Sequence, residues 1–142
     1  MKIESPVFKN NELIPPKYTC DGENINPSLI ISEIPEETAA LALIMDDPDA
    51  VSGTFVHWVV YGIPPEGEIG EDSVPGKQGM NDFGRKDYGG PCPPSGTHRY
   101  FFRVYALDED LELEEGLSRE ELEEAMEGHI IVQAELIGLY SR

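Results

Sequence analysis

Residues 54–63 read TFVHWVVYGI and residues 98–107 read HRYFFRVYAL. Both runs are rich in β-branched and aromatic side chains, types that fit a pleated surface, and the first stops at Pro64-Pro65. Side chains alternate across a strand, so the first run predicts Phe55, His57, Val59 and Tyr61 on one face and Val56, Trp58 and Val60 on the other. Both faces are largely apolar, which makes it a central strand covered on both sides. In the second run His98, Tyr100, Phe102, Val104 and Ala106 share one face; Arg99, Phe101, Arg103, Tyr105 and Leu107 share the other.

Further elements follow outward from these two. AALALIM, residues 39–45, is a short apolar run ending in the acidic turn DDPDA and reads as a buried strand. A last strand is expected over His129 to Tyr140, with Ile130, Val132, Ala134 and Leu136 on one side. The clear helix lies near 118–127. Ser118 with Glu121 three residues on forms a capping box, Leu117 can staple to Leu122, and Gly128 is placed to end it. Twelve Pro and fourteen Gly favour short strands joined by turns. With no repeat or low-complexity linker, the 142 residues form one domain, 1–142, of β-rich α+β class with one or two helices.

Ten basic residues against twenty-eight acidic ones leave a formal charge of −18. Binding to nucleic acid or anionic lipid depends on Lys and Arg, so this surface argues against both. Residues 108–127 hold eleven carboxylates and one base, Arg119, which is the pattern of a solvated helix and its approach loop. The opening residues MKIESPVFKNNELIPP show no secretory signal pattern, and no apolar run is long enough to span a bilayer, so a cytoplasmic location is expected. In that compartment Cys20 and Cys92 read first as buried free thiols, with a disulfide as the alternative.

Two loops collect the residues able to do chemistry. Asp46-Asp47-Pro48-Asp49 follows a strand, and the proline restrains the carboxylates on either side. The second loop, Tyr88-Gly89-Gly90-Pro91-Cys92-Pro93-Pro94-Ser95-Gly96, leads into Thr97-His98-Arg99-Tyr100. Its glycines let backbone N–H groups approach a ligand, and its prolines stiffen a wall. An imidazole paired with a carboxylate is held as one tautomer and favours its protonated form, so His57 or His98 near Asp47 can present N–H to an anion. Amides of Gly89 and Gly90 and the Tyr100 hydroxyl are candidate further donors. Arg99 alternates away from His98 and reads as a structural anchor for a carboxylate.

Taken together, D-x-P-D, H-W, G-G-P-x-P-P and H-R-Y resemble the phosphatidylethanolamine-binding protein (PEBP) family, also called Raf-kinase-inhibitor-like, in its short bacterial and archaeal branch. The likeness runs from SPVF and YTCDGENINPSL through ALIMDDPDA, GTFVHWVVYGIP and NDFGRKDYGGPCPPSGTHRYFFRVYALD to AMEGHIIVQAELIGLY. It implies a large central antiparallel sheet, a second small sheet on one face and helices on the other. It also implies a shallow pocket for small anions such as phosphate, phosphoethanolamine or a carboxylate, with no cofactor, and a homodimer. On the family's motifs, Asp47 and Asp49 stand beside the pocket with His57, His98 and Tyr100. Gly90, Pro93 and Pro94 line its rim, and Arg99 and Trp58 give support.

Three other functions fit some of the same residues. A hydrolase would draw its nucleophile from Ser52, Cys92 or Ser95, none of them in a G-x-S-x-G elbow. A metal centre would use Asp47, Asp49, His57 and His98, although the expected reading is that no metal is held. A protein-interaction module, inhibiting a kinase or protease, could use the acidic stretch. The binding-protein reading is the one expected.

Overall fold

The computed structural model describes all 142 residues. In chain order its strands are β1 (Lys2–Glu4), β2 (Glu12–Leu13), β3 (Leu29–Ser32), β4 (Ala40–Asp47), β5 (Phe55–Ile63), β6 (Glu68–Ile69), β7 (Lys77–Gln78), β8 (Thr97–Leu107) and β9 (Ile130–Ser141). One helix, α1 (Arg119–Met126), precedes β9, and a single 3-10 turn covers Pro16–Tyr18. Six strands form the main sheet in the order β2-β9-β8-β4-β5-β7, and three form a small sheet, β1-β3-β6. The architecture is the β-rich one expected. Within the main sheet only the two-residue edge pairing of β2 with β9 is parallel.

Strand β4 is buried along its whole length because each face has its own cover. Leu41, Leu43 and Met45 join Phe102, Val104, Trp58 and Val60 in one cluster, capped by Ile3, Leu29, Ile31 and Ile69 from the small sheet. Ala42 and Ile44 join Val59, Tyr61 and Tyr105 in a second, capped by Leu122 and Met126 of α1. The helix begins as the sequence predicts. Ser118 Oγ accepts from Glu121 N at 3.1 Å, the Glu121 carboxylate accepts from Ser118 N at 3.0 Å, and Leu117 packs on the cluster that contains Leu122. It stops at Gly128, whose φ of +83° is left-handed.

Strict alternation fails at three places, one of them where the β4–β5 pairing shifts between Leu41–Ile63 and Leu43–Val60. Along β5, Trp58 pairs with Met45 and Val56 with Asp46, so His57 is an extra residue with no register partner. This β-bulge puts Trp58 and Val60 on the small-sheet side and Val56, Val59 and Tyr61 on the helix side. The expected set Phe55, His57, Val59, Tyr61 is therefore split beyond His57. In β9 the register shifts opposite Ala106 and Leu107, and Ile131 is the extra residue. Ile130 is left 42% exposed, while Ile131, Val132 and Ala134 pack on the core.

On the helix side Asp46 has no solvent exposure. Arg103 grips it through Nε and Nη2 at 2.9 and 3.1 Å, and Arg119 Nη1 reaches it at 3.1 Å. Removing one partner of such a buried cluster strands the other charges. Asp46→Ala is expected to destabilise by roughly 2–4 kcal/mol in urea unfolding, less than a fully dry pair because both guanidinium groups still reach water.

Candidate functional site

The DDPD corner closes strand β4 by distributing three carboxylates to three partners. Asp46 takes the arginines on the helix side. Asp47 faces the other way, where its Oδ2 meets His98 Nδ1 at 2.7 Å and its Oδ1 accepts the Asp49 N–H at 2.8 Å. Asp49 turns outward to Arg99, which donates to it from Nε, Nη2 and its own backbone N at 2.9, 2.8 and 3.0 Å. Those hydrogen bonds hold the Asp49 carboxyl down to about 2. Arg99 is the anchor expected of it. Asp49 is not a pocket residue, contrary to expectation, because Arg99 on the outward face of β8 draws it away.

Beside the Asp47–His98 pair lies a cavity of about 310 Å³. His57, His98, Tyr100 and Asp47 form its polar part. Val51, Phe55 and Phe83 line its apolar part, together with Cys92, Pro93 and Pro94. The two imidazoles thus share one hollow, although both are nearly buried, at 4% and 8% exposure. The ring of His57 meets Tyr100 edge-on at 5.3 Å, Phe83 at 5.4 Å and Phe55 at 5.1 Å. The bulge supplies this placement, since it gives His57 a position of its own between paired neighbours.

Each ring has one nitrogen committed. A carboxylate only accepts, so His98 Nδ1 carries hydrogen and Nε2 is left free. His57 Nδ1 likewise donates to the Gly89 carbonyl at 2.7 Å. Burial is the main influence on His57 and lowers its pKa from 6.5, so near neutral pH its Nε2 is an acceptor. The Tyr100 hydroxyl is buried with no partner in hydrogen-bond geometry. Burial, and then the nearby charge of Asp47, push its pKa up, so it stays a donor.

The glycine loop acts differently from expectation. Gly89 N donates to the His57 carbonyl at 3.1 Å and Gly90 N to Asn24 Oδ1 at 2.8 Å, so neither amide is open to a ligand. Gly90 lies behind the wall instead. A Cβ there would collide with the Tyr18 carbonyl and Asn24 Oδ1, which explains the glycine. Pro93 and Pro94 do line the rim as expected. Trp58 is a buried core residue, its Nε1 donating to Gln78 Oε1 at 2.8 Å.

Sequence reasoning passed over Asn81 and Phe83. Buried Asn81 donates from Nδ2 to the carbonyls of His57 and Asp87, and its Oδ1 accepts from the amides of Phe83 and Arg85. It thereby fixes Phe83 against Phe55 at 4.8 Å. The turn residues of NDFG were the available signal. The cysteines also depart from expectation: Cys20 and Cys92 are exposed, and they are joined in a disulfide with a Cα–Cα distance of 5.5 Å. Seventy-two residues separate them, and the meeting comes from tertiary packing, in which Cys20 N donates to Pro91 O at 3.1 Å.

Nor do Asp47, Asp49, His57 and His98 converge as a metal set, because Asp49 faces Arg99. A group with the spacing for an ion lies elsewhere, at exposed Asp108 and Glu109 with His129. A larger depression of about 520 Å³ runs along β1 and β9, lined among others by Lys2, Phe8, Lys9 and Glu135. It has no imidazole, so chemistry rather than size selects the smaller cavity.

Fold and site define a β-rich domain with a small cavity that two imidazoles line. The family model described as phosphatidylethanolamine-binding protein matches residues 4–141. A UPF0098 protein of Methanothermobacter thermautotrophicus is 51% identical, covering 100% of this chain and 99% of its own. A UPF0098 protein of Aquifex aeolicus is 54% identical, covering 100% and 89%. Among solved structures, a PEBP homolog from Chlamydia trachomatis is similar at a TM-score of 0.96 and 42% identity, covering 99% and 97% of the two chains. E. coli YbcL, described as a member of the mammalian PEBP family, is similar at 0.91 and 29%, covering 99% and 98%. The chain belongs to the phosphatidylethanolamine-binding protein family.

Lowered in the folded state, the His57 pKa has a definite stability consequence. The unfolded chain takes up the proton first, so this contribution is complete above about pH 6.5 and is lost as pH falls toward the folded value. Urea midpoints measured downward from pH 8 should hold level and then decline below about 6.5. His57→Asn, which keeps a donor for Gly89, should flatten part of that decline; an unchanged slope would mean that other groups cause it.

Proposed function

We propose that the pocket binds small anions that still carry a proton, phosphate monoesters above all, as a non-catalytic ligand-binding module. The observation that carries this reading is the mixed set of free polar atoms. The unpartnered Tyr100 hydroxyl and, when its ring is protonated against Asp47, His98 Nε2 are placed to donate, whereas neutral His57 Nε2 can only accept. A fully ionised anion suits the first two and not the third. An anion with one P–O–H suits all three, and phosphate monoesters exchange that proton near pH 6.

The apolar side supports an ester over bare phosphate. Phe55, Phe83 and the 87% exposed Val51 offer a surface for a short organic group such as the ethanolamine of phosphoethanolamine. A cavity of about 310 Å³ is at the small end of ligand sites and suits a headgroup. The formal charge of −18 opposes entry from afar, but beyond about 8 Å it is screened at physiological salt. Modest affinity follows, with selectivity set by local hydrogen bonds.

Against a hydrolase, the three candidate nucleophiles are badly disposed. Cys92 is tied in the disulfide, Ser95 is off the cavity, and Ser52 lines it without a hydrogen bond to either imidazole.

Calorimetric titration should rank phosphoethanolamine above phosphate and phosphate above acetate. His98→Ala should weaken phosphoethanolamine by about 1.5–3 kcal/mol, and Tyr100→Phe by about 1. Affinity should also fall from pH 6 to 8 as the ester loses its proton. Binding that is indifferent to His98→Ala, or that strengthens with pH, would contradict the reading.

A further inference from the structure

The disulfide stands in an unusual relation to the pocket. Its Cys92 half lines the cavity, both halves are exposed, and the Arg142 guanidinium lies over the sulfurs. We infer that Cys20–Cys92 is a thiol-exchange site at which a small thiol attacks Cys20, expels Cys92, and so releases one rim of the pocket. This inference takes the proposed pocket as its target and concerns how that pocket is controlled.

The two sulfurs differ. Arg142 Nη1 is 3.4 Å from Cys92 Sγ and 3.9 Å from Cys20 Sγ. On the Cys20 side stands the carboxylate of Asp21, which takes an ion pair from Arg142 at 3.4 Å and a hydrogen bond from Tyr140 Oη at 2.6 Å. A departing sulfur becomes an anion, so the half nearer the guanidinium and farther from the carboxylate leaves more readily. Attack is therefore directed to Cys20. The balance is simple: an incoming thiolate forms a bond to Cys20 Sγ, the old S–S bond breaks, and its electron pair leaves on Cys92 Sγ. A second thiol then attacks the thiol-derived sulfur of the mixed disulfide. The reductant departs as its own disulfide and both cysteines are left reduced.

The consequence for the pocket follows from what else holds the rim. Gly89 and Gly90 are pinned by His57 and Asn24, and Gly96 exchanges two backbone hydrogen bonds with Arg142. Between those anchors, Cys92, Pro93, Pro94 and Ser95 make no backbone–backbone hydrogen bond. The disulfide is the covalent tether of this stretch. Opening it leaves the proline wall to be ordered by the ligand, and that ordering subtracts from affinity.

The test uses the intact protein. Native protein is incubated with reduced glutathione, quenched with maleimide and mapped by mass spectrometry. Phosphoethanolamine binding and amide exchange are then compared between oxidised and fully reduced protein. Glutathione should be found mainly on Cys20 and maleimide on Cys92, and Arg142→Gln should move the ratio toward equality. Reduction should weaken phosphoethanolamine about five- to tenfold. It should also speed exchange of the Cys20 and Gly96 amides, which flank the rim, about tenfold or more. The double variant Cys20→Ser, Cys92→Ser should match the reduced protein. Glutathione mainly on Cys92, adducts only under denaturant, or identical rim exchange and affinity in both states would overturn the inference. If oxidised protein binds no phosphoethanolamine, the pocket reading fails, and the adduct map with the rim exchange rates still decides for or against this one.

Discussion

Everything that positions the pocket depends on how the acidic corner after β4 is tied to β8. Two adjacent carboxylates at the end of a strand must point to opposite faces, and each meets a cation or imidazole already facing its way. Asp46 enters the helix side and is neutralised by Arg103 and Arg119. Asp47 enters the small-sheet side and holds His98. Asp49, beyond Pro48, clamps Arg99 from outside. The corner therefore cannot slide along β8 without breaking pairs on both faces, two of them around buried carboxylates.

That constraint sets where His98 stands; the bulge in β5 sets where His57 stands. One residue too many at His57 bends the local register and lets its ring reach the cavity while Trp58, next in sequence, remains in the core. The result is two imidazoles that line one cavity with their Nδ1 atoms committed to different partners. The one tied to Asp47 is oriented by a charge, and the one tied to Gly89 is held in a dry aromatic setting by Phe55, Phe83 and Tyr100.

Local pattern revealed the long strands, the β8 faces, the capped helix and the role of Arg99, because each rests on neighbours in sequence. The bulges were not legible. Nothing in TFVHWVVYGI marks which residue lacks a partner, since pairing with β4 decides it. Asp49 and Gly90 looked like pocket residues, yet Arg99 and Asn24, both distant in sequence or facing outward, claim them. The disulfide was hidden for the same reason. Two cysteines far apart carry no sign of meeting until the Tyr18–Cys20 loop packs on the Tyr88–Cys92 loop, which Tyr88 Oη secures by donating to the Tyr18 carbonyl at 2.7 Å.

The central claim is that His98 and His57 line one hollow, each with Nδ1 committed and Nε2 free. Long-range proton–nitrogen spectra of the imidazole rings, recorded through a phosphoethanolamine titration near pH 6.5, test it most directly. Ligand-dependent shifts are expected at the Nε2 atoms of both His98 and His57, with Nδ1–H retained on both and His57 starting neutral. Signals that move only at half-buried His129, outside the cavity, or a His57 ring found with its proton on Nε2 in the free protein, would contradict it.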